Sequence, residues 1–147
     1  KNYPEQKFIV ADLLALDKAT PEKFDYIFCL AVLQHIPSRD LRLEALKQMA
    51  QKLEPGGRII LSVWNLWQSP KHRHLLFKNT WLKIFRRNDL DWNDLVFPWK
   101  NSKGQAISER YYHAFTKKEL KKLARLAGLR NVRLDRDRYN FWVILKK

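Results

Sequence analysis

Arg110, Tyr111, Tyr112 and His113 stand together in the run ERYYHAF, residues 109–115. A guanidinium can grip a carboxylate or a phosphate with two parallel hydrogen bonds. Tyrosine rings can stack on a base or wall a pocket, as RNA-binding aromatics do. An imidazole can orient an acceptor group through a hydrogen bond. Together these side chains could hold a planar anionic substrate. The same residues also admit a packing role, with the tyrosines lying under the following helix and Arg110 paired with Glu109 or Asp94.

A second candidate is Asp12, at the end of the apolar run Phe8–Ala11. A carboxylate just past a strand can accept a hydrogen bond from an exocyclic amine such as that of adenine. It can equally be a solvated turn residue or a local cap. No acid–base pair suited to proton transfer stands out. Transfer to an acceptor that is already ionised at neutral pH, such as a carboxylate, needs none.

These side chains must be positioned by elements that the pattern suggests. Phe8–Ala11 reads as a buried strand and residues 24–36, FDYIFCLAVLQHI, as a second. Near-continuous apolar runs of this length suit a parallel sheet covered on both faces. Pro37 and Ser38 open a helix in which Leu46, Met49, Ala50 and Leu53 follow the i, i+3, i+4, i+7 rule, with Arg39, Lys47 and Lys52 facing out. EPGG, residues 54–57, ends that helix, and RIILSVW, 58–64, is a third strand. Strand, helix and strand make one βαβ unit with a right-handed crossover. The capping box TKKE begins another helix at Thr116, with Glu119 reaching back to the cap; Leu120, Leu123, Ala124 and Ala127 form its apolar face and Gly128 its stop. NVRLDRDR and NFWVILKK read as a closing antiparallel pair.

Between them, residues 65–108 lose this rhythm. They hold four of the six tryptophans and a basic helical stretch at roughly 71–87 that contains no acid. We read this region as an insertion on the rim of one domain spanning 1–147, in a position to act as a lid.

The chain has 29 Lys and Arg against 15 Asp and Glu, a formal charge of +14. Such a balance favours a polyanionic partner, with nucleic acid ahead of an anionic membrane surface. No apolar run approaches the ~20 residues of a membrane span, so no membrane is expected. The single cysteine, Cys29, excludes an internal disulfide and a cysteine-rich zinc site; no metal is expected, and a reducing cytoplasm fits.

The blocks VADLLAL, FDYIFCLAVLQHI and ALKQMAQKLEPGGRIILSVW, in that order and spacing, resemble the middle and later part of a class I S-adenosylmethionine-dependent methyltransferase. DLVFPWK, ERYYHAF and TKKELKKLARLAGL are similar to the tRNA methyltransferases that esterify 5-carboxymethyluridine at the wobble position, and to their bacterial relatives. The resemblance implies an α/β, Rossmann-like methyltransferase sheet with an antiparallel C-terminal strand pair. It implies S-adenosylmethionine as cofactor and tRNA as partner, in a cytoplasmic RNA-binding enzyme, and it brings a small activator subunit into consideration. Asp12 would hold the adenine amine, and the backbone at Leu13 would line the ring. Leu30 and Ala31 would face the methionine portion, with His35 in the nearby wall. Arg110, Tyr112 and His113 would serve the acceptor. Many relatives carry two histidines where this chain has Gln34 and His35.

No glycine precedes Gly56, whereas this family opens with a strand, a Gly-rich loop and a second strand. The resemblance therefore implies an N-terminally incomplete domain. The two strands in question would lie between 8–11 and 26–31, leaving a separation of about 14 Å. A chain of this kind is expected to bind the cofactor poorly, and to re-pair its sheet or expose an edge. Two other readings remain open: a methyltransferase for a small metabolite, and a non-catalytic basic RNA-binding fragment.

Overall fold

The computed structural model describes residues 5–85 and 90–147. A short helix, α1 (Leu16–Ala19), precedes the first strand. A four-stranded sheet is built from β1 (Phe24–Leu30), β2 (Leu53–Trp64), β5 (Arg130–Arg136) and β6 (Asn140–Lys146), in the order β1-β2-β6-β5. β1 and β2 are parallel, pairing Tyr26 with Arg58 through Leu30 with Ser62. β6 lies antiparallel to β2, and β5 antiparallel to β6. The carboxyl ends of β1, β2 and β5 therefore share one rim. The expected C-terminal pair is present, and the sheet is a mixed α/β arrangement.

The link between β1 and β2 is helix α2 (Arg39–Gln51), whose start is fixed by Ser38: its Oγ accepts from the Leu41 N–H at 3.3 Å. Ala45, Leu46, Met49 and Ala50 turn inward against Ile59, Leu61 and Val63 of β2 and Phe141, Val143 and Leu145 of β6. Each large side chain buried in this way is worth about 1.5–3 kcal/mol. Helix α4 (Lys117–Leu126) adds Leu120, Leu123 and Ala124 to the same core, while its lysines stay in water. Cys29 lies in this core, where burial pushes its thiol up to about 11 and leaves it unreactive.

Several expectations are corrected. Phe8–Ala11 is not a buried strand: the segment has no strand pairing, and Phe8 and Val10 are exposed. A strand needs a neighbour for its backbone groups, and among the described residues none lies beside this one. β1 is likewise not covered on both faces. It stands at the sheet edge, and Phe24, Tyr26, Phe28 and Leu30 are exposed along one face. The helix α2 ends before EPGG, at Gln51 with Lys52 as its cap, because β2 already begins at Leu53. Gly57 is needed there: a Cβ would meet Glu54 O at 3.0 Å and the Asp25 and Phe24 carbonyls at 3.1 Å. Lys52 does not face out freely but is half-buried, with its Nζ donating to Thr20 O.

Residues 65–108 are more ordered than their composition suggests. After a 3-10 turn at Leu66–Gln68 comes α3 (Pro70–Ile84), with Ser69 as its cap. Arg86 and Arg87 of the expected basic helix lie outside the described residues. Then β3 (Asp94–Lys100) and β4 (Ala106–His113) form a separate antiparallel ribbon. Leu66, Leu76, Leu95, Tyr112 and Ala114 build a small second core between this ribbon and α3.

Candidate functional site

An open α/β sheet exposes its ligand side at the carboxyl ends of the strands. At that rim β1 turns sharply. Ala31 adopts φ +54°, a left-handed conformation costly for a residue with a Cβ. Its N–H is held by the Ser62 carbonyl at 3.0 Å and the Ser62 hydroxyl at 3.1 Å, and its carbonyl accepts from Gln34 Nε2 at 3.0 Å. The turn leaves Leu30 half-exposed and starts the 3-10 helix Leu33–His35.

That helix carries His35 over the rim. Its ring lies 4.7 Å from that of Tyr112 and 5.9 Å from that of Trp64, which ends β2. Trp64 stacks on Tyr112 at 5.0 Å, and Phe97 of β3 stacks on Tyr112 at 5.2 Å. Tyr112 is thus the centre of an aromatic wall drawn from four elements, and only 2% exposed. Burial lowers the pKa of His35; a hydrogen bond to the Tyr111 backbone opposes that, and the Arg110 charge reinforces it. The imidazole is accordingly neutral at pH 7.

The period of two in β4 gives alternate residues different surroundings. Arg110, on the same face as Tyr112, pairs with neither Glu109 nor Asp94. Its guanidinium lies over the Trp99 ring, with Cζ 3.2 Å from the ring centroid, and Nη1 is 3.5 Å from the Tyr112 hydroxyl. A guanidinium stacked in this manner keeps its in-plane N–H donors free for an anion.

Tyr111 and His113 face the other way, into a buried polar network. The Tyr111 hydroxyl donates to Asp94 Oδ1 at 2.7 Å and accepts from Arg42 Nη1 at 2.9 Å. His113 Nδ1 lies 2.6 Å from Asp94 Oδ1, and Nε2 2.8 Å from Glu119 Oε1. Arg42 also donates to Asp91 Oδ2 at 3.2 Å and to the Ile36 carbonyl. Burial disfavours the His113 imidazolium, but the bonds to Asp94 and Glu119 outweigh it and raise the pKa. Only half of the expected capping box forms. Thr116 Oγ1 accepts from the Glu119 N–H at 3.2 Å, while the Glu119 carboxylate is drawn to His113 instead of reaching back.

Asp12 sits apart on its own segment. Its Oδ1 caps the 3-10 helix Leu13–Ala15 by accepting from Leu14 N–H at 2.9 Å, and the residue is exposed. Leu13 packs against the main core. The structure therefore brings Leu30, Ala31 and His35 together on one turn and sets Tyr112 and Arg110 across from His35, with His113 behind them. Sequence reasoning missed Phe97 and Trp99 as members of the wall, and Arg42 and Asp94 as its supports. Arg42 carried a signal: it falls on the apolar stripe of α2, three positions before Ala45.

A family model described as a methyltransferase domain matches residues 2–134. The chain is 27% identical over 143 residues to the tRNA (carboxymethyluridine(34)-5-O)-methyltransferase of Schizosaccharomyces pombe, covering 85% of this chain and 58% of that protein. It is 33% identical over 70 residues to the Saccharomyces cerevisiae protein of the same name, covering 48% of this chain and 25% of that protein. The chain thus spans little more than half of the first of these relatives. Among solved structures it is similar in fold to a SAM-dependent methyltransferase from Methanosarcina mazei, with a TM-score of 0.71 at 19% identity, covering 96% of this chain and 66% of that one. It is also similar to the 1,6-didemethyltoxoflavin-N1-methyltransferase of Burkholderia thailandensis, solved with 1,6-didemethyltoxoflavin and S-adenosylhomocysteine. There the TM-score is 0.60 at 20% identity, covering 96% of this chain and 50% of that one.

Proposed function

The chain belongs to the methyltransferase-domain family, and on that premise we propose that it takes part in S-adenosylmethionine-dependent methyl transfer to the carboxymethyl group of a tRNA wobble uridine. The observation that carries this reading is the wall around Tyr112 at the ends of β1 and β2, with Arg110 laid on Trp99 beside it. A flat base fits against the exposed ring of Trp64 beside His35, and a carboxylate fits the free edge of the guanidinium.

The residues present fit part of the cofactor. Asp12 offers a carboxylate for the adenine amine and Leu13 an apolar neighbour for the ring. Leu30 and Ala31 offer an exposed apolar turn for the methionine end. No glycine precedes Gly56, so the residues present hold no Gly-rich cradle for the ribose. Bound there, S-adenosylmethionine supplies a methyl group on a positively charged sulfur.

The chain's own work is alignment, because an in-line displacement depends on holding nucleophile and methyl in register. Arg110 orients the acceptor carboxylate through its fork, and Trp99 fixes the plane of that fork. Tyr112, Trp64 and Phe97 keep water from the acceptor. His35, neutral, closes the wall next to the β1 turn without placing a second positive charge beside Arg110. His113 touches no open surface of this wall; it positions β4 through Asp94 and Glu119. No base is required for an acceptor already ionised.

The experiment is loss of the gene followed by mass spectrometry of tRNA nucleosides. Wobble 5-carboxymethyluridine should accumulate at the expense of its methyl ester. An unchanged nucleoside profile would overturn the acceptor assignment.

A further inference from the structure

A second anion-binding feature lies on the same rim, outside the acceptor wall. Arg73 of α3 and Arg136 and Arg138, at the end of β5 and in the turn after it, line one cavity of about 500 Å³. All three are exposed, and none makes an ion pair among the described residues. The one carboxylate in the lining, Asp137, is already committed: Oδ1 accepts the Tyr139 and Asn140 N–H groups, each at 2.6 Å, and Oδ2 accepts Trp142 Nε1 at 2.8 Å. Three arginines lining one cavity with a single carboxylate leave an excess of positive charge there, which attracts an anion.

The remaining lining suits a nucleotide better than a bare ion. Trp67 presents an indole whose Nε1 is anchored to the carbonyls of Ala114 and Phe115 at 3.2 and 3.0 Å, so the ring is held in place. Asn65 and Gln68 bring amides that can meet a sugar hydroxyl or a base edge. These two residues also line an adjoining cavity of about 260 Å³ that reaches Trp64, which stacks on Tyr112. The two cavities share Asn65 and Gln68, so they adjoin between Trp64 and the arginines.

We propose that Arg73, Arg136 and Arg138 form a clamp for a backbone phosphate of the RNA strand whose neighbouring nucleotide occupies the wall at Tyr112. This rests on the reading that the acceptor is part of an RNA. A strand entering along these cavities places its charge on the arginines and a flanking base or sugar against Trp67 and the amides.

The test is binding of a fluorescently labelled anticodon stem–loop RNA by anisotropy, titrated with KCl, using the full chain. Every phosphate charge left unneutralised should reduce the slope of log affinity against log salt by about 0.7–0.9. The triple variant R73A/R136A/R138A, which leaves the clamped phosphate unneutralised, should therefore lower the slope by about 0.7–0.9, and bind at least tenfold more weakly at low salt. A control that removes three exposed charges elsewhere, K18A/K47A/K103A, should leave most of the slope in place. An RNA-binding wild type whose slope survives in the triple arginine variant, or falls equally in the control, overturns the clamp alone. A wild type with no salt-dependent RNA binding overturns the RNA reading and the clamp with it. Inorganic phosphate that displaces the RNA more strongly than chloride at equal ionic strength assigns the arginines to a free anion and overturns the strand assignment.

Discussion

His113 and Asp94 stand 2.6 Å apart, at 1% and 3% exposure, on opposite strands of the β3–β4 ribbon. They form a directly paired rung, Asp94 opposite His113, that closes the ribbon where it meets α4. Because Glu119 takes the other ring nitrogen, the imidazolium is favoured in the folded state and its pKa is raised above 6.5. A raised folded pKa stabilises fully below the unfolded value and loses that contribution as pH rises through the folded one. Thermal melts should therefore show stability falling as pH climbs above 6.5 through the folded value, and His113→Gln should flatten that descent. His35, lowered by burial, works in the opposite sense and loses its contribution as pH falls.

Arg42 is the only cation among the described residues that reaches Tyr111, Asp91 and Asp94 together. Truncating one partner of a buried charge cluster leaves the others uncompensated and costs about 3–5 kcal/mol. Arg42→Ala should destabilise by that amount in urea unfolding. Tyr111→Phe, which removes one hydroxyl from the same cluster, should cost about 1–3 kcal/mol.

Arg110 and Trp99 separate charge from orientation. In the proposed methyl transfer, Arg110→Ala should raise KM for the acceptor by about 10–100-fold, since a hydrogen bond to a charged group is worth about 1.5–3 kcal/mol. Arg110→Lys keeps the charge but not the fork, and should recover only part of this. Trp99→Leu keeps the arginine and removes its platform; an interaction of about 0.5–2 kcal/mol predicts a KM increase of a few-fold to about 30-fold. Comparable melting temperatures would show that these effects are not failures of folding.

At Gly57 the backbone of β2 comes close to the start of β1. Gly57→Ala should destabilise by about 1–3 kcal/mol through the shift it forces on three carbonyls. Gly104→Ala meets nothing in space and suffers only from its positive φ of 78°, so it should cost about 1–2 kcal/mol.

The β1–α2–β2 unit was legible because periodicity and capping there agree: Ser38, the stripe through Met49 and the apolar run of β2 all point one way. Phe8–Ala11 misled because hydrophobicity marks what a segment would bury, whereas a strand also requires a pairing partner. The β3–β4 ribbon was hidden by Pro98 and by the polar turn around Gly104, whose local signals obscure a pairing fixed across the chain. Glu119 was assigned to a neighbour in sequence, and His113, six residues away, outcompeted it. For the site, the run ERYYHAF was visible as chemistry, but its division into two faces was not. That division depends on Trp64, Phe97 and Asp94, which lie far from it in sequence.

The alternation along β4 also limits how this protein can change over evolutionary time. Arg110 and Tyr112 face the aromatic wall, while Tyr111 and His113 face the buried polar network. A slip of one residue turns every side chain of a strand to its opposite face. One codon inserted ahead of Arg110, with no bulge to absorb it, would turn the guanidinium into the polar network and the histidine toward the aromatic wall, exchanging the two faces in a single step. Variants in β4 should therefore arise by substitution or by paired insertions, and single-codon changes in length should be confined to the turn at Asn101–Gln105.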